Sequence, residues 1–163
     1  GAKKSFFETR ISGSTYLALD PDANYVLAGR LAVGSLLGAG LVEIPANHRF
    51  YSGGGASVRG YRLQSLGPRL ADGRVIGGSS LLEASLEARI KLTNTIGVVP
   101  FIDAGSAFAS SYPDFKESMR YAAGLGLRYY TAIGPIRLDV AFPLTPRKGD
   151  KPVAVYFGIG QAF

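Results

Sequence analysis

The sequence predicts an all-β chain, and three observations carry this prediction. Apolar and polar residues alternate along most of the chain with a period of two, which is the period of strands. Short turn sequences separate several of the alternating segments. Apolar residues make up 47% of the chain and charged residues only 18%, yet no apolar run is as long as the roughly eighteen residues of a membrane helix.

The alternation is clearest in SLLEASLEARIKL, residues 80–92. One face of this strand is apolar from Leu82 to Leu92, and the opposite face carries Glu83, Glu87 and Arg89. Six further segments show the same pattern, so we predict about seven strands. In chain order, the predicted strands are 5–19, 24–38, 79–93, 95–109, 119–133, 135–145 and 152–163.

Each predicted strand is delimited by its own alternation and by the turn after it. FFETRISGSTYLAL, the first strand, ends at the turn DPDAN, and YVLAGRLAVGSLL follows as the second. After the third strand, the turn TNT leads into TIGVVPFIDAGSAF, the fourth. The fifth and sixth strands, MRYAAGLGLRYYTAI and IRLDVAFPL, meet at a Gly-Pro pair, and PRKGD leads to the seventh strand, VAVYFGIGQAF. These are turn compositions that join antiparallel strands.

Alternating strands occur both in soluble sandwiches and in membrane barrels, but the barrel turns its apolar face outward to lipid. Long strands, polar faces of Gly, Arg, Glu and Asp, and aromatic residues near strand ends favour the barrel. We therefore predict an antiparallel transmembrane β-barrel segment over residues 1–163. The aromatic residues near predicted strand ends are Phe6, Phe7, Tyr16, Tyr25, Phe108, Tyr129 and Tyr130.

A long connection at residues 39–78 has no predicted element of its own. It contains RFYSGGGASVRGYRLQSLGPR, with three consecutive glycines and Arg59 between Val58 and the pair Gly60 and Tyr61. Structureless connections of this length are usually functional or disordered. The last predicted strand also stands out, because VYFGIGQAF closes the sequence on an aromatic residue, Phe163. That ending is similar to the targeting signal of outer-membrane barrels.

These motifs resemble the BamA/TamA superfamily of outer-membrane assembly barrels, and most closely its TamA-type members. GGGASVRGY resembles the family's VRG(F/Y) motif in a long extracellular loop, and FIDAG resembles a second family motif. The resemblance also covers GGSSLLEASLEARI, GLGLRYYTAIGPIRLDVAFPL and GIGQAF, and so nearly the whole chain. It implies the C-terminal part of a barrel of about sixteen strands in the bacterial outer membrane, with POTRA domains and the first strands missing here.

The resemblance also implies a role for Arg59. The loop 39–78 would fold into the barrel lumen, where Arg59 would meet Glu87 and Asp103 on the inner wall. The alternation agrees, because Glu87 lies on the polar face of its strand and Asp103 shares a face with Gly105. A guanidinium group suits carboxylates because it donates in a planar fork. We expect Val58, Arg59, Gly60 and Tyr61 to form the loop side of this contact.

The implied function is non-enzymatic insertion of outer-membrane proteins or autotransporters through a weak barrel seam. Tyr156, Gly158, Gly160 and Phe163 would belong to the targeting and seam strand, where Gly158 and Gly160 would weaken strand pairing. The implied partners are outer-membrane lipids, unfolded outer-membrane protein substrates and a TamB-like protein reached through N-terminal domains. The alternatives are a two-partner secretion pore that exports a polypeptide and a small structural or adhesin barrel.

No enzyme, cofactor or metal site is predicted. The sequence has one histidine, His48, and no cysteine, and it lacks both the GxSxG motif of hydrolases and the GK[ST] ending of a phosphate-binding loop. Its acidic residues do not have the spacing of a calcium loop. The net charge of +6 is dispersed along the chain without a Lys/Arg run, so no nucleic-acid partner is predicted.

Overall fold

The protein folds as one antiparallel sheet. The computed structural model describes residues 5–116 and 119–163. Within these ranges, seven strands pair in chain order, each with its neighbour in sequence, which confirms the predicted all-β antiparallel fold. The strands are β1 (Phe7–Ala18), β2 (Tyr25–Leu37), β3 (Ser80–Lys91), β4 (Ile96–Phe108), β5 (Arg120–Thr131), β6 (Gly134–Pro143) and β7 (Ala154–Ile159).

The last strand is shorter than the sequence predicted. The prediction of a strand over 152–163 was wrong at its C-terminal end, because β7 covers only Ala154–Ile159. Six residue pairs join β7 to β6, whereas ten join β6 to β5. Gly160 follows with a φ of +91°, a left-handed conformation that favours glycine and turns the chain out of the strand. The first six strands agree with their predicted boundaries to within two residues.

The two faces of the sheet have opposite chemistry, with apolar side chains on the exposed face. On β3, Leu86 is 54% exposed, whereas Ser85 and Glu87 are 7% and 0% exposed. On β6, Leu138 is 41% exposed and Asp139 is 0% exposed. This is the distribution in a transmembrane barrel wall, whose apolar side faces lipid. We call the exposed apolar face the outer face and the covered face the inner face.

The connection between β2 and β3, residues 38–79, covers the inner face and is called the β2–β3 segment below. It contains two single-turn 3-10 helices that the sequence did not predict, Leu41–Glu43 and Ala46–His48. Its apolar residues provide the core: Phe50 packs with Leu36 and Leu81 of the sheet, while a second cluster joins the segment to β5. No helix among the described residues is long and apolar enough to cross a membrane.

A glycine of β5 makes room for an aromatic ring on the inner face. Gly124 is paired with Phe101 of β4. A Cβ atom on Gly124 would overlap the Phe101 ring and the carbonyl oxygen of Val140. An aromatic side chain that covers a neighbouring glycine is a recognised means of stabilising strand pairs. The missing side chain of Gly124 therefore determines where the Phe101 ring lies.

We predict that Gly124→Ala destabilises the sheet by about 1–3 kcal/mol, the typical cost of overpacking, because the ring and the β6 backbone have to move. The measurement is the unfolding free energy in detergent or lipid. Gly13→Ala on β1 is the matched control, because a Cβ atom there meets nothing within 4 Å. Equal stability of the two variants would contradict the close packing of Phe101 on Gly124.

Candidate functional site: an arginine held by the inner face

The β2–β3 segment is attached to the inner face through Arg59, which bonds Asp103 of β4 from both its side chain and its backbone. Nε of Arg59 donates to Oδ2 of Asp103 at 2.7 Å, and Nη2 donates to Oδ1 at 2.9 Å. The backbone N–H of Arg59 donates to the same Oδ2 at 3.0 Å. The two side-chain bonds define the orientation of the guanidinium plane as well as its position.

Two further carboxylates and one aromatic ring complete the surroundings of Arg59. Nη1 donates to Oε1 of Glu87 on β3 at 2.8 Å and to Oδ2 of Asp139 on β6 at 3.2 Å. The Phe101 ring lies below the guanidinium, with its centroid 3.4 Å from Cζ, which is the arrangement of a cation–π contact. One side chain of the segment therefore binds three strands, β3, β4 and β6.

These charges are withdrawn from solvent. Arg59 is 2% exposed, and Glu87, Asp103 and Asp139 are 0% exposed. Burial by itself lowers the pKa of Arg59, but the hydrogen bonds and charges of Asp103 and Glu87 outweigh burial, so the pKa is raised. Arg59 therefore stays charged at every physiological pH. Removing either the arginine or a carboxylate lowers the stability of the folded protein, because the remaining buried charges are then no longer neutralised.

Two more arginines neutralise the remaining carboxylate oxygens. Oε2 of Glu87 accepts from Nε of Arg89 at 3.0 Å. Oδ1 of Asp139 accepts from Nη1 of Arg128 at 2.6 Å. Three arginines thus face three carboxylates, so the buried cluster has no net charge. We call these six residues, Arg59, Glu87, Arg89, Asp103, Arg128 and Asp139, the inner charge cluster.

The neighbours of Arg59 in the VRGY motif pack against β4 and β5. Val58 is fully buried and occupies the space beside Gly105, where a Cβ atom would lie 2.8 Å from Cγ2 of Val58. Gly60 has a φ of +93°. A Cβ atom on Gly60 would lie 3.0 Å from Cβ of Ala122. The hydroxyl of Tyr61 donates to the carbonyl oxygen of Tyr121 at 2.8 Å.

The four residues predicted to belong to the targeting and seam strand lie in different parts of the structure. Tyr156 is on β7, and its hydroxyl accepts from the N–H of Gly60 at 3.0 Å and donates to the carbonyl oxygen of Tyr61 at 3.1 Å. Gly158 is paired with Arg137 of β6. Gly160 lies just beyond the strand, and its N–H donates to the carbonyl oxygen of Pro135 at 2.7 Å; its effect on strand pairing stays a prediction. Phe163 follows it, with its carbonyl oxygen 2.8 Å from Nη2 of Arg89.

Sequence reasoning missed half of the inner charge cluster. Asp139 lies on the polar face of its strand, so the alternation that selected Glu87 could also have selected Asp139. Arg89 and Arg128 were visible on polar faces too, but nothing in the sequence indicates that they share carboxylates with Arg59. A further acid, Glu83, accepts from the hydroxyl of Ser57 in the segment and from Nη2 of Arg30 at 3.4 Å.

Comparison with known proteins assigns this architecture to a family. The model of the Omp85 superfamily domain matches residues 1–163. The chain is 31% identical to the outer membrane protein assembly factor BamA of Nitratidesulfovibrio vulgaris over 169 aligned residues, and 25% identical to BamA of Neisseria meningitidis over 196. Both alignments cover 100% of this chain, but only 21% and 24% of the respective relative. A SAM50-like protein of Schizosaccharomyces pombe is 25% identical, with 98% of this chain and 36% of the relative covered.

A solved structure has the same fold. The crystal structure of BamA from Haemophilus ducreyi lacking POTRA domains 1–3 superposes with a TM-score of 0.74 at 24% identity, over 92% of this chain and 34% of that chain. The chain thus spans between a fifth and about a third of the proteins that it matches here. Its bacterial relatives locate it in the bacterial outer membrane. With the whole chain matched by the domain model, this protein belongs to the Omp85 superfamily.

Proposed function

We propose that this chain is the C-terminal part of a barrel that assembles outer-membrane proteins without enzymatic chemistry. The observation that carries the proposal is the attachment of Arg59 to carboxylates of three strands. The names of the bacterial relatives support an assembly role. The arginines and carboxylates of the cluster bind one another across the segment and the sheet, so the cluster is suited to holding the segment in place.

In this proposal, the β2–β3 segment is an extracellular loop that folds back into the barrel lumen. The outer face of the sheet is apolar and suits lipid, whereas the inner face carries buried charges that water alone would otherwise surround. The segment fills this polar interior and supplies it with an apolar core, formed by Val58, Tyr61, Leu66 and Ala122. A loop held in this way stiffens the wall from inside.

The seam of the barrel is formed on one side by β7. Its outer edge has no partner strand among the described residues, and only six residue pairs join it to β6. An unpaired edge is a template for a further strand, and strand addition is a general mode of peptide recognition. Unfolded outer-membrane proteins are the substrates that add strands at this edge.

The resemblance of RFYSGGGASVRGYRLQSLGPR to TamA-type loops favours an autotransporter-assembly role within this function, with a TamB-like partner bound through domains outside residues 1–163. BamA-type assembly of general barrel substrates is the role that the names of the relatives support. The two roles share the same seam and the same loop attachment, so the experiments below apply to both.

Arg59→Ala in the full-length parent tests the loop attachment. The variant leaves Glu87, Asp103 and Asp139 close together without their shared cation, a loss that typically costs about 3–5 kcal/mol. We predict faster protease cleavage between Arg49 and Arg74 and less folded substrate in an assembly assay. Arg59→Lys should retain only part of the protease resistance and of the assembly activity, because an ammonium group lacks the planar fork of a guanidinium.

Arg74→Ala is the matched control, because Arg74 lies in the same segment but its side chain is 76% exposed and is described as bonded to Asp72 alone. It should behave like the parent. If Arg59→Ala is cleaved no faster than this control, the segment is not held by Arg59. If cleavage rises while assembly is unchanged, the loop attachment has no part in assembly.

Phe163 is proposed to act in targeting to the assembly machinery. Phe163→Asp in the full-length parent should lower the amount of folded, heat-modifiable barrel in the outer membrane, because an acidic side chain replaces the aromatic group at the end of the barrel. The control is Phe157→Tyr, which keeps an aromatic ring on the exposed face of β7. Parental amounts of folded Phe163→Asp barrel would rule out this targeting role.

A further inference from the structure

Residues 160–163, which we call the β7 extension, begin at Gly160, whose N–H still donates to the carbonyl oxygen of Pro135 of β6 at 2.7 Å. The residues after Gly160 contact arginines of the inner face. The side-chain oxygen of Gln161 accepts from Nε of Arg128 at 3.0 Å. The carbonyl oxygen of Phe163 accepts from Nη2 of Arg89 at 2.8 Å, and Cζ of Arg89 lies 5.3 Å from the centroid of the Phe163 ring. Two arginines of the inner charge cluster therefore hold the extension.

These contacts require a real change of direction in the chain. Arg89 belongs to β3, which is four strands away from β7. Neighbouring strands lie about 4.8 Å apart, so four spacings along a sheet amount to roughly 19 Å. A strand that continued straight beyond Ile159 would remain at the edge, out of reach of Arg89. The turn at Gly160 and the curvature of the sheet bring the extension to β3 instead.

Each arginine that holds the extension shares a carboxylate with Arg59. Glu87 accepts from Arg59 on Oε1 and from Arg89 on Oε2. Asp139 accepts from Arg59 on Oδ2 and from Arg128 on Oδ1. Without Arg59, Glu87 and Asp139 would each keep a single cation, so both carboxylates and the arginines bound to them would be free to change rotamer.

A third connection joins the same two parts of the chain without passing through a carboxylate. The Tyr156 hydroxyl bridges the N–H of Gly60 and the carbonyl oxygen of Tyr61, the two residues that follow Arg59. Gly55 of the segment lies against the Tyr156 ring, since a Cβ atom there would be 2.9 Å from Cδ1. The segment therefore contacts β7 itself as well as the residues that hold its extension.

From these contacts we propose that Arg89 and Arg128 are positioning residues that hold the β7 extension on the inner face, and that Arg59 controls them through the shared carboxylates. The inference rests on the proposed attachment of the loop by Arg59 and adds a consequence for the seam. While the segment is in place, residues 160–163 are kept off the outer edge and the pairing edge of β7 remains short. Release of the segment frees the extension and lengthens that edge.

The test uses the full-length parent in lipid vesicles, with other reactive cysteines removed and a spin label on Ala162→Cys. In the parent, the label should be immobilised. Arg89→Gln and Arg128→Gln should each increase the mobile fraction roughly tenfold, because each removes a hydrogen bond to a charged donor. Cleavage of the β2–β3 segment should stay well below that of Arg59→Ala, because Asp103 still binds Arg59 at three atoms. A variant that merely destabilised the barrel would raise cleavage to the Arg59→Ala level as well.

Arg120→Gln is the matched control, because this β5 arginine bonds the carbonyl oxygen of Thr145 and should leave the label unchanged. An immobile label in both Arg89→Gln and Arg128→Gln overturns the positioning role. Arg59→Ala separates the two proposals. Faster cleavage together with a mobile label supports the coupling, whereas faster cleavage with an immobile label overturns the coupling and leaves the loop attachment standing. Unchanged cleavage means that the loop attachment itself has failed.

Discussion

The structure depends on the binding of one buried guanidinium group by carboxylates of three strands. Buried ion pairs add little net stability compared with apolar packing, because desolvation offsets their attraction. Here the ion pairs fix the position of the β2–β3 segment, because Asp103 binds Arg59 at two side-chain atoms and at the backbone N–H. Apolar burial of Val58 and Tyr61 accounts for the affinity of the β2–β3 segment for the inner face, and Arg59 determines the place where it binds.

The same constraint explains why the inner face is polar and yet tightly packed. A barrel wall in lipid has its apolar side outward and a polar interior, and charged groups that are withdrawn from water there need partners. Small residues leave the room for this filling, as Gly105 does for Val58 and Gly124 for Phe101. Phe101 in turn lies under Arg59. The packing of β4 against β5 and the attachment of the loop therefore depend on the same aromatic ring.

Much of this arrangement could be predicted from local sequence patterns. A period of two located six strands to within two residues and placed Glu87 and Asp103 on the inner face, while the VRGY motif selected Arg59. The β7 boundary could not be predicted in this way, because VAVYFGIGQAF keeps alternating while the chain turns at Gly160. The residues beyond this turn are bound by Arg89 and Arg128, which are distant in sequence. Contacts between residues so far apart leave no periodic signal.

Arg59 and Asp103 should stabilise the folded state through each other. The decisive measurement is a double-mutant cycle with Arg59→Ala, Asp103→Ala and the double variant, with unfolding free energies measured in lipid. We predict a coupling energy of at least roughly 1.5 kcal/mol, as for close charge pairs elsewhere. The double variant should then lose less stability than the two single losses together. Additive losses, with a coupling within about 0.5 kcal/mol of zero, would show that the two residues act independently.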